Sequence, residues 1–542
     1  MTHCPGKNFM CFHPRLFSAF LTLVVLTNLT GFSSGQSIPP AFSAYFTTDP
    51  VPEIKITLSE ASLKALREKQ REFTACTLVE NGKAWPEMAI KLKGAAGSFR
   101  GIDDRPALTL NAARQVKGRE FHGMRKFHLN NSVQDGTLLH EFIGSELFRQ
   151  AGCPATRVGW ARLKINDRDM GLYVLKEGFD QTFLKRSFSK PKGNLYDGGF
   201  CQDLDAALEL DEGPDAKEAN PPRKDLQAVV AACREPDLSK RKAALEKLVD
   251  IDSLFTFMAI ELMLCHWDGY TGNKNNYRVY FDPGNSGKMS YLPHGMDQLL
   301  GDLNFPIWGN APSMVPGIVL GLPEWRKGYR ARLVKLRPLF DKKNTDAIID
   351  RAMARLGPAA KAQGGDNALK QQSELAGQMK ARLQERATNL DRLIKEIPVA
   401  PEPLVFDGAG LGKLNLGDWI AQKVTEDSRA LAIDNGKALE IAVGTSKDCV
   451  ASWRNKVLVP KGTYRFEARL KAEGITSKEE GASVRISGIR NTTRLDGSFD
   501  WKTVGHEFTI SADLQEITMV VELRATAGRL LIDPNARIVR LK

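Results

Sequence analysis

The chain has 542 residues, 42% of them hydrophobic, with 46 Gly and 27 Pro and no run of a single residue type or fixed-period repeat. That is enough apolar material for a large core and roughly two to four domains, and it excludes collagen-like, solenoid and wholly disordered chains. The net charge of +12 is scattered, without a basic stripe interleaved with aromatics, so nucleic-acid binding is not expected. Residues 1–35 read as a secretory signal peptide: Lys7 and Arg15 precede the mostly apolar stretch 16–29, and Ser33-Ser34-Gly35 offers small residues for cleavage. That stretch is shorter than the about 20 apolar residues of a membrane span, and no later segment reaches that length. The expectation is an exported chain, secreted or held in the periplasm or at the cell surface, with no stable membrane span after cleavage. Beyond the leader, six cysteines remain; Cys201 with Cys233 is a pairing worth testing, although connectivity is not readable from sequence.

Residues 54–58 alternate as a strand does, and Ser59 is placed to cap a helix over 60–73. Further strands are expected at 88–93, 107–110 and 127–129, then a helix over 137–151, and then a hairpin of 161–165 with 171–175 about the turn Asn166-Asp167-Arg168-Asp169. Residues 251–265 are almost continuously apolar and predict a buried helix that ends at His266-Trp267-Asp268. Two strands, 277–281 and 289–292, follow a Gly/Asn-rich loop. Residues 330–396 return to charged amphipathic helices, interrupted near Gly357-Pro358 and Gly364-Gly365. The Pro-rich run 398–403 predicts a stiff linker. Beyond it, seven moderate strands at 438–443, 457–459, 464–470, 483–489, 507–510, 518–523 and 529–532 predict an all-β sandwich of jelly-roll type.

Chemistry is concentrated between the buried helix and the strand after it. Asp268 opens a loop that contains Asn273, Asn275 and Asn276, and Asp297 leaves the next strand after His294 and Gly295. Phosphoryl transfer uses such an inventory: a carboxylate beside the attacking hydroxyl, and hard oxygen ligands that hold magnesium against phosphates. Asp and Asn beside Gly are equally what a solvated turn contains, so spacing alone leaves both readings open. His266 and His294 flank the loops without a third ligand at a recognisable spacing, which favours core or loop histidines over a metal site.

Over about residues 50–395 the chain resembles the CotH kinase family. The matching pieces are 92–98 (Leu-Lys-Gly-Ala-Ala-Gly-Ser), 171–180 (Gly-Leu-Tyr-Val-Leu-Lys-Glu-Gly-Phe-Asp), 193–196 (Gly-Asn-Leu-Tyr), Asp268 with 275–280 (Asn-Asn-Tyr-Arg-Val-Tyr), and Tyr291-Leu292-Pro293 through Asp297. The resemblance implies an α+β fold with a kinase-like bilobed domain over 36–397, followed, past the linker 398–403, by the β-sandwich domain 404–542. It implies ATP and a divalent metal, Mg2+ or Mn2+, in the cleft, and a protein substrate with Ser/Thr hydroxyls. Asp268 would be the catalytic carboxylate, with Asn276, or Asn273 as its fallback, and Asp297 as metal ligands. Gly94, Gly97 and Ser98 would lie over the phosphates, and Arg105, Lys126 and Glu177 would line the nucleotide site.

Two positions depart from the family pattern. Gly295 stands where the family carries a first acid before Asp297, and Arg105 stands where many members carry Lys, for which Lys93 or Lys126 is the substitute. The alternative reading is therefore a non-catalytic exported pseudokinase or scaffold whose β-domain binds a polysaccharide or cell-surface partner. Trp419, Trp453, Tyr464 and Trp501 are its candidate stacking residues, with core packing the blander reading of the same aromatics.

Overall fold

The computed structural model describes residues 38–217, 222–309, 311–398, 403–414, 418–478, 480–489 and 494–542. The signal-peptide reading of 1–35 and most of the expected linker 398–403 lie outside the described residues.

After helix α1 (Pro40–Thr47), seven strands close into a barrel: β1 (Glu53–Thr57), β2 (Thr74–Glu80), β3 (Lys83–Lys93), β4 (Ala107–Asn111), β5 (Lys126–Asn130), β6 (Val158–Ile165) and β7 (Arg168–Glu177). Their order is β1-β2-β3-β4-β5-β7-β6, with every pair antiparallel except β1 with β6. Strand β1 shows why it forms: Ile54 and Ile56 point inward while Glu53, Lys55 and Thr57 face solvent. Each such buried aliphatic side chain contributes about 1.5–3 kcal/mol. Ser59 caps α2 (Glu60–Glu68) by accepting from the Ser62 N–H at 3.1 Å. The helix stops five residues short of the expected Phe73, because Lys69 leaves helical geometry (φ −125°, ψ 61°) and Thr74 already pairs in β2.

Helix α3 (His140–Gln150) packs between the barrel and the helical half of the molecule, and α4 (Gln181–Ser187) follows β7. A second sheet, ordered β11-β10-β8-β9, contains β8 (Leu195–Asp197), β9 (Glu209–Glu212), β10 (Tyr277–Asp282) and β11 (Lys288–Pro293). Helices α5 (Lys224–Arg234), α6 (Leu238–Leu248), α7 (Ile251–Met263), the single turn α8 (Tyr270–Asn273), α9 (Met314–Gly321), α10 (Pro323–Leu336) and α11 (Lys342–Glu396) complete this half. Helix α7 is buried along almost its whole length, as its composition demands. Of the two interruptions expected in the last helix, only Gly364-Gly365 breaks it, through Gly365 at φ +69°; Pro358 is carried inside continuous helix.

Beyond residue 403, nine strands surround a separate apolar core: β12 (Leu411–Lys413), β13 (Ile420–Lys423), β14 (Arg429–Ile433), β15 (Ala438–Ala442), β16 (Cys449–Thr476), β17 (Gly481–Ile486), β18 (Gly497–Ala525), β19 (Ala527–Ile532) and β20 (Arg537–Arg540). The strands are joined into one antiparallel network, because β16 and β18 are 28 and 29 residues long. Their register shifts between Pro460 and Gly462, so each pair of expected strands, 457–459 with 464–470 and 507–510 with 518–523, is one long strand. The chain is thus mixed α/β and rich in β structure, with a closed barrel at one end and an all-β region at the other.

The six described cysteines are free. Cys233 is buried on α5 while Cys201 is exposed, so the Cys201–Cys233 pairing is not made. Among the described residues no helix is long and apolar enough to cross a membrane.

Candidate functional site

The loop after α7 is clamped at both ends. Arg386, fully buried on α11, donates to the carbonyl oxygens of Leu262, Met263 and Leu303 at 2.8–2.9 Å, which places a cation at the C-terminal end of α7. Glu261, in the last turn of α7, accepts the backbone N–H groups of Tyr270 and Thr271 at 2.7 and 2.9 Å, and a side chain at Gly269 would collide with it. Burial raises the Glu261 pKa from its usual 4.5 to about 7.

Between these clamps, Asp268 is half-buried and its carboxylate is held by three asparagines. Asn273 Nδ2 donates to Oδ1 at 2.5 Å, while Asn275 and Asn276 donate to Oδ2 at 3.1 and 2.8 Å. Asn276 also donates to the Asp268 carbonyl at 2.9 Å, so its amide nitrogen is fully committed. Its Oδ1 accepts no hydrogen bond from the described residues and lies where a side chain at 295 would begin, so Gly295 is required both by space and by its φ of +54°. The His294 N–H donates to the Asn276 carbonyl at 3.0 Å, which ties the Asp268 loop to the loop that carries Asp297.

Asp297 in turn lies beside the start of α3, where His140 Nδ1 is 3.0 Å from its carbonyl oxygen. Burial and then the charge of Glu141 raise the Asp297 pKa. Glu141 is fully buried and receives Lys176 Nζ at 2.7 Å; both members of this ion pair are shielded from water. Lys93, at the end of β3, donates to Asn130 Oδ1 at 2.6 Å, and burial reinforced by Lys176 lowers its pKa to about 8. His266 is buried and His294 half-buried, and burial holds both neutral, lowering His266 to about 4 and His294 well below its usual value. Among the described residues no three His, Cys, Asp or Glu side chains form a metal-binding group. The Asp297 carboxylate and Asn276 Oδ1, which accepts no hydrogen bond from the described residues, are carried on the two tied loops and could each ligate a cation. Hard oxygen donors of this type are what magnesium takes, beside phosphates and water.

The remaining expected site residues are distributed differently. The turn 94–98 follows Lys93 directly, with Gly94 and Gly97 at φ +102° and +81° and the Ala95 N–H donating to Ser98 Oγ at 3.1 Å. Lys126 pairs with Asp211 at 3.7 Å, and Asp211 also binds Arg278 at 2.5 Å. Arg105 is committed elsewhere: it donates to the carbonyls of Asn131, Met170 and Leu172 and lies over the Tyr173 ring at 4.7 Å. Glu177 faces the reverse side of β7 from Lys176, where it pairs with Arg186 and accepts the Arg157 N–H at 3.0 Å. The Lys176–Glu141 pair is the feature that reading the sequence missed.

A family model described as CotH kinase protein matches residues 90–395, from the last residues of β3 through β11, both loops and nearly all of α11. The chain belongs to the CotH family. Invasin CotH3 of Rhizopus delemar is 27% identical to this CotH chain over 229 residues, 38% of each protein. Inner spore coat protein H of Bacillus subtilis is 24% identical over 245 residues, 41% of this chain and 65% of that one. The chain thus spans less than two thirds of either relative. Among solved structures, the carbohydrate-binding module TmCBM61 in complex with β-1,4-galactotriose is 16% identical with a TM-score of 0.17, covering 23% of this chain and 90% of the module. Trp419, Trp453 and Tyr464 are buried core residues of the all-β region, with the indole N–H groups donating to Pro534 O and Glu440 O; Trp501 is partly exposed.

Proposed function

We propose that this CotH protein is an exported phosphotransferase that moves the γ-phosphate of ATP to Ser/Thr hydroxyls of a protein substrate with Mg2+ or Mn2+. The barrel and the helical half would serve as the two lobes of a kinase-like domain over 36–397, and residues 404–542 as a jelly-roll-like targeting module. The observation that carries this reading is the tie between the Asp268 loop and the Asp297 loop, with the charges of Glu141, Lys93 and Lys176 reaching Asp297 and those of Asp268, Glu141 and Lys176 reaching His266.

When bound, ATP supplies the transferable phosphoryl group and the cation neutralises charge on the phosphates. Asp268, fixed by three amide donors, would accept the hydrogen bond of the acceptor hydroxyl and set its direction of attack. Asp297 and Asn276 Oδ1 would hold the cation. Lys176, oriented by Glu141, and Lys93 would face the phosphates, with Lys93 in place of the committed Arg105, and the N–H groups of 94–98 would cover them.

Titration of ATP with either metal, followed by the unfolding temperature, tests this reading, since ligand that binds only the native state raises its stability. A rise in wild type that Asp297→Ala loses is expected; no rise with either metal contradicts it. A second reading, a non-catalytic scaffold that engages a glycan or surface partner, is favoured by Gly295 and by the commitment of Arg105. Under it, ATP leaves the unfolding temperature unchanged and partner binding maps to the β-rich region around Trp501.

A further inference from the structure

On the reverse of β7, a cavity of about 230 Å3 opens between α3, the loop 152–157 and α4, lined by Arg149, Arg157, Glu177, Phe183, Arg186 and Pro154. Arg149 donates to Thr156 O at 2.9 Å and pairs with Glu146, which Arg351 also binds at 3.0 Å. Arg186 pairs with Glu177, donates to Gly123 O at 3.1 Å and lies over the Phe42 ring at 3.9 Å. Arg157 differs from these two. Its backbone N–H is bound to Glu177, but its guanidinium makes no hydrogen bond and no ion pair with any described residue, although it is half-buried. Three guanidinium groups line the cavity: Arg149 shares Glu146 with Arg351 outside it, Arg186 pairs with Glu177, and Arg157 feels Glu146 only at a distance, with Glu120 a further anion near Arg186. Burial lowers the pKa of all three lining arginines, and Arg157 adds to the lowering at Arg149 and Arg186, which marks three cations held close together.

We propose that this cavity is a phosphate-binding site, separate from the Asp268–Asp297 cleft, in which Arg157 is the principal ligand and Arg149 the second. The volume argues for a small anion: pockets for nucleotide-sized ligands occupy about 300–1,000 Å3. The chemistry argues for phosphate, because a planar guanidinium left without a partner beside two others offers the forked donor geometry that phosphate oxygens accept. The ligand is either free inorganic phosphate or the phosphate of a phosphorylated side chain. This inference is independent of the proposed reaction in the cleft.

The test is calorimetric titration of the full chain with inorganic phosphate and, separately, with a phosphoserine peptide and its unphosphorylated counterpart. Saturable binding of phosphate is expected, weakened about tenfold or more in Arg157→Ala and in Arg157→Gln, the loss of one charge-assisted contact, and unchanged in Asp297→Ala. Tighter binding of the phosphoserine peptide than of free phosphate identifies a modified protein as the source, and equal affinities identify the free anion. Binding that survives both Arg157 variants unchanged, binding lost only in Asp297→Ala, or no saturation at millimolar phosphate overturns the proposal.

Discussion

Lys176 and Glu177 are neighbours in sequence and face opposite sides of β7, so one pairs with Glu141 on α3 and the other with Arg186 on α4. Lys176→Met would leave Glu141 buried without its cation, and breaking a pair of this kind costs roughly 3–5 kcal/mol. Urea denaturation should show that loss, whereas a change under 1 kcal/mol (about the value of a surface pair) would mean that the pair is solvated. Lys93 carries a pH prediction. Its pKa stands at about 8, so its charge, and with it attraction for phosphates, disappears as pH rises through that value. Nucleotide affinity of wild type should fall across this range, while Lys93→Arg stays flat; parallel curves in an affinity titration would remove Lys93 from the site. The loop carboxylates were legible in the sequence because they sit in short, distinctive segments. The Lys176–Glu141 pair was not, since its members lie 35 residues apart in apolar stretches and meet only when the barrel closes. Glu177, which the resemblance places at the nucleotide site, lies on the opposite face of β7 from Lys176, because a one-residue step in a strand reverses the face.

At the scale of elements, the Asp268 loop owes its shape to charges planted on helices, Glu261 on α7 and Arg386 on α11. Glu261 has a raised pKa in the folded chain, so its contribution to stability is full below pH 4.5 and is lost as pH rises through about 7. Glu261→Gln removes that dependence while keeping an acceptor for one N–H, so between pH 5 and 7.5 the variant should lose less stability than wild type, by up to about 3 kcal/mol. Unfolding curves at the two pH values decide it; equal losses in both proteins would mean that Glu261 is charged throughout. Alternation made β1 readable, the Ser59 cap the start of α2, and continuous apolarity α7. Strand β2 was hidden because it follows α2 without a turn signal, and the bend in β16 at Pro460 was read as a gap between two strands. In both cases the neighbouring strand, absent from local sequence, decides the outcome.

At the scale of the molecule, the all-β region has an apolar core of its own, and polar links such as Arg326–Glu516 at 2.6 Å and the Asp513 N–H to Ser239 Oγ at 3.0 Å join it to the helical half. Separate cores predict separate unfolding. Calorimetry should show a total enthalpy that exceeds the van't Hoff value of its main transition, and agreement of the two would mean one cooperative unit. The loops that carry Asp268 and Asp297 are tied to each other, and Asp297 lies against α3, which packs on both the barrel and the helical half, so the proposed phosphoryl transfer can be tested at one place in the fold.

The most direct test is incubation of the protein with γ-labelled ATP, Mg2+ or Mn2+ and a Ser/Thr-rich acceptor, beside Asp268→Ala and Asp297→Ala. The expected result is label transferred by wild type and by neither variant, with both variants folded. Equal labelling by all three proteins, or none by any, would contradict the assignment of these carboxylates to phosphoryl transfer.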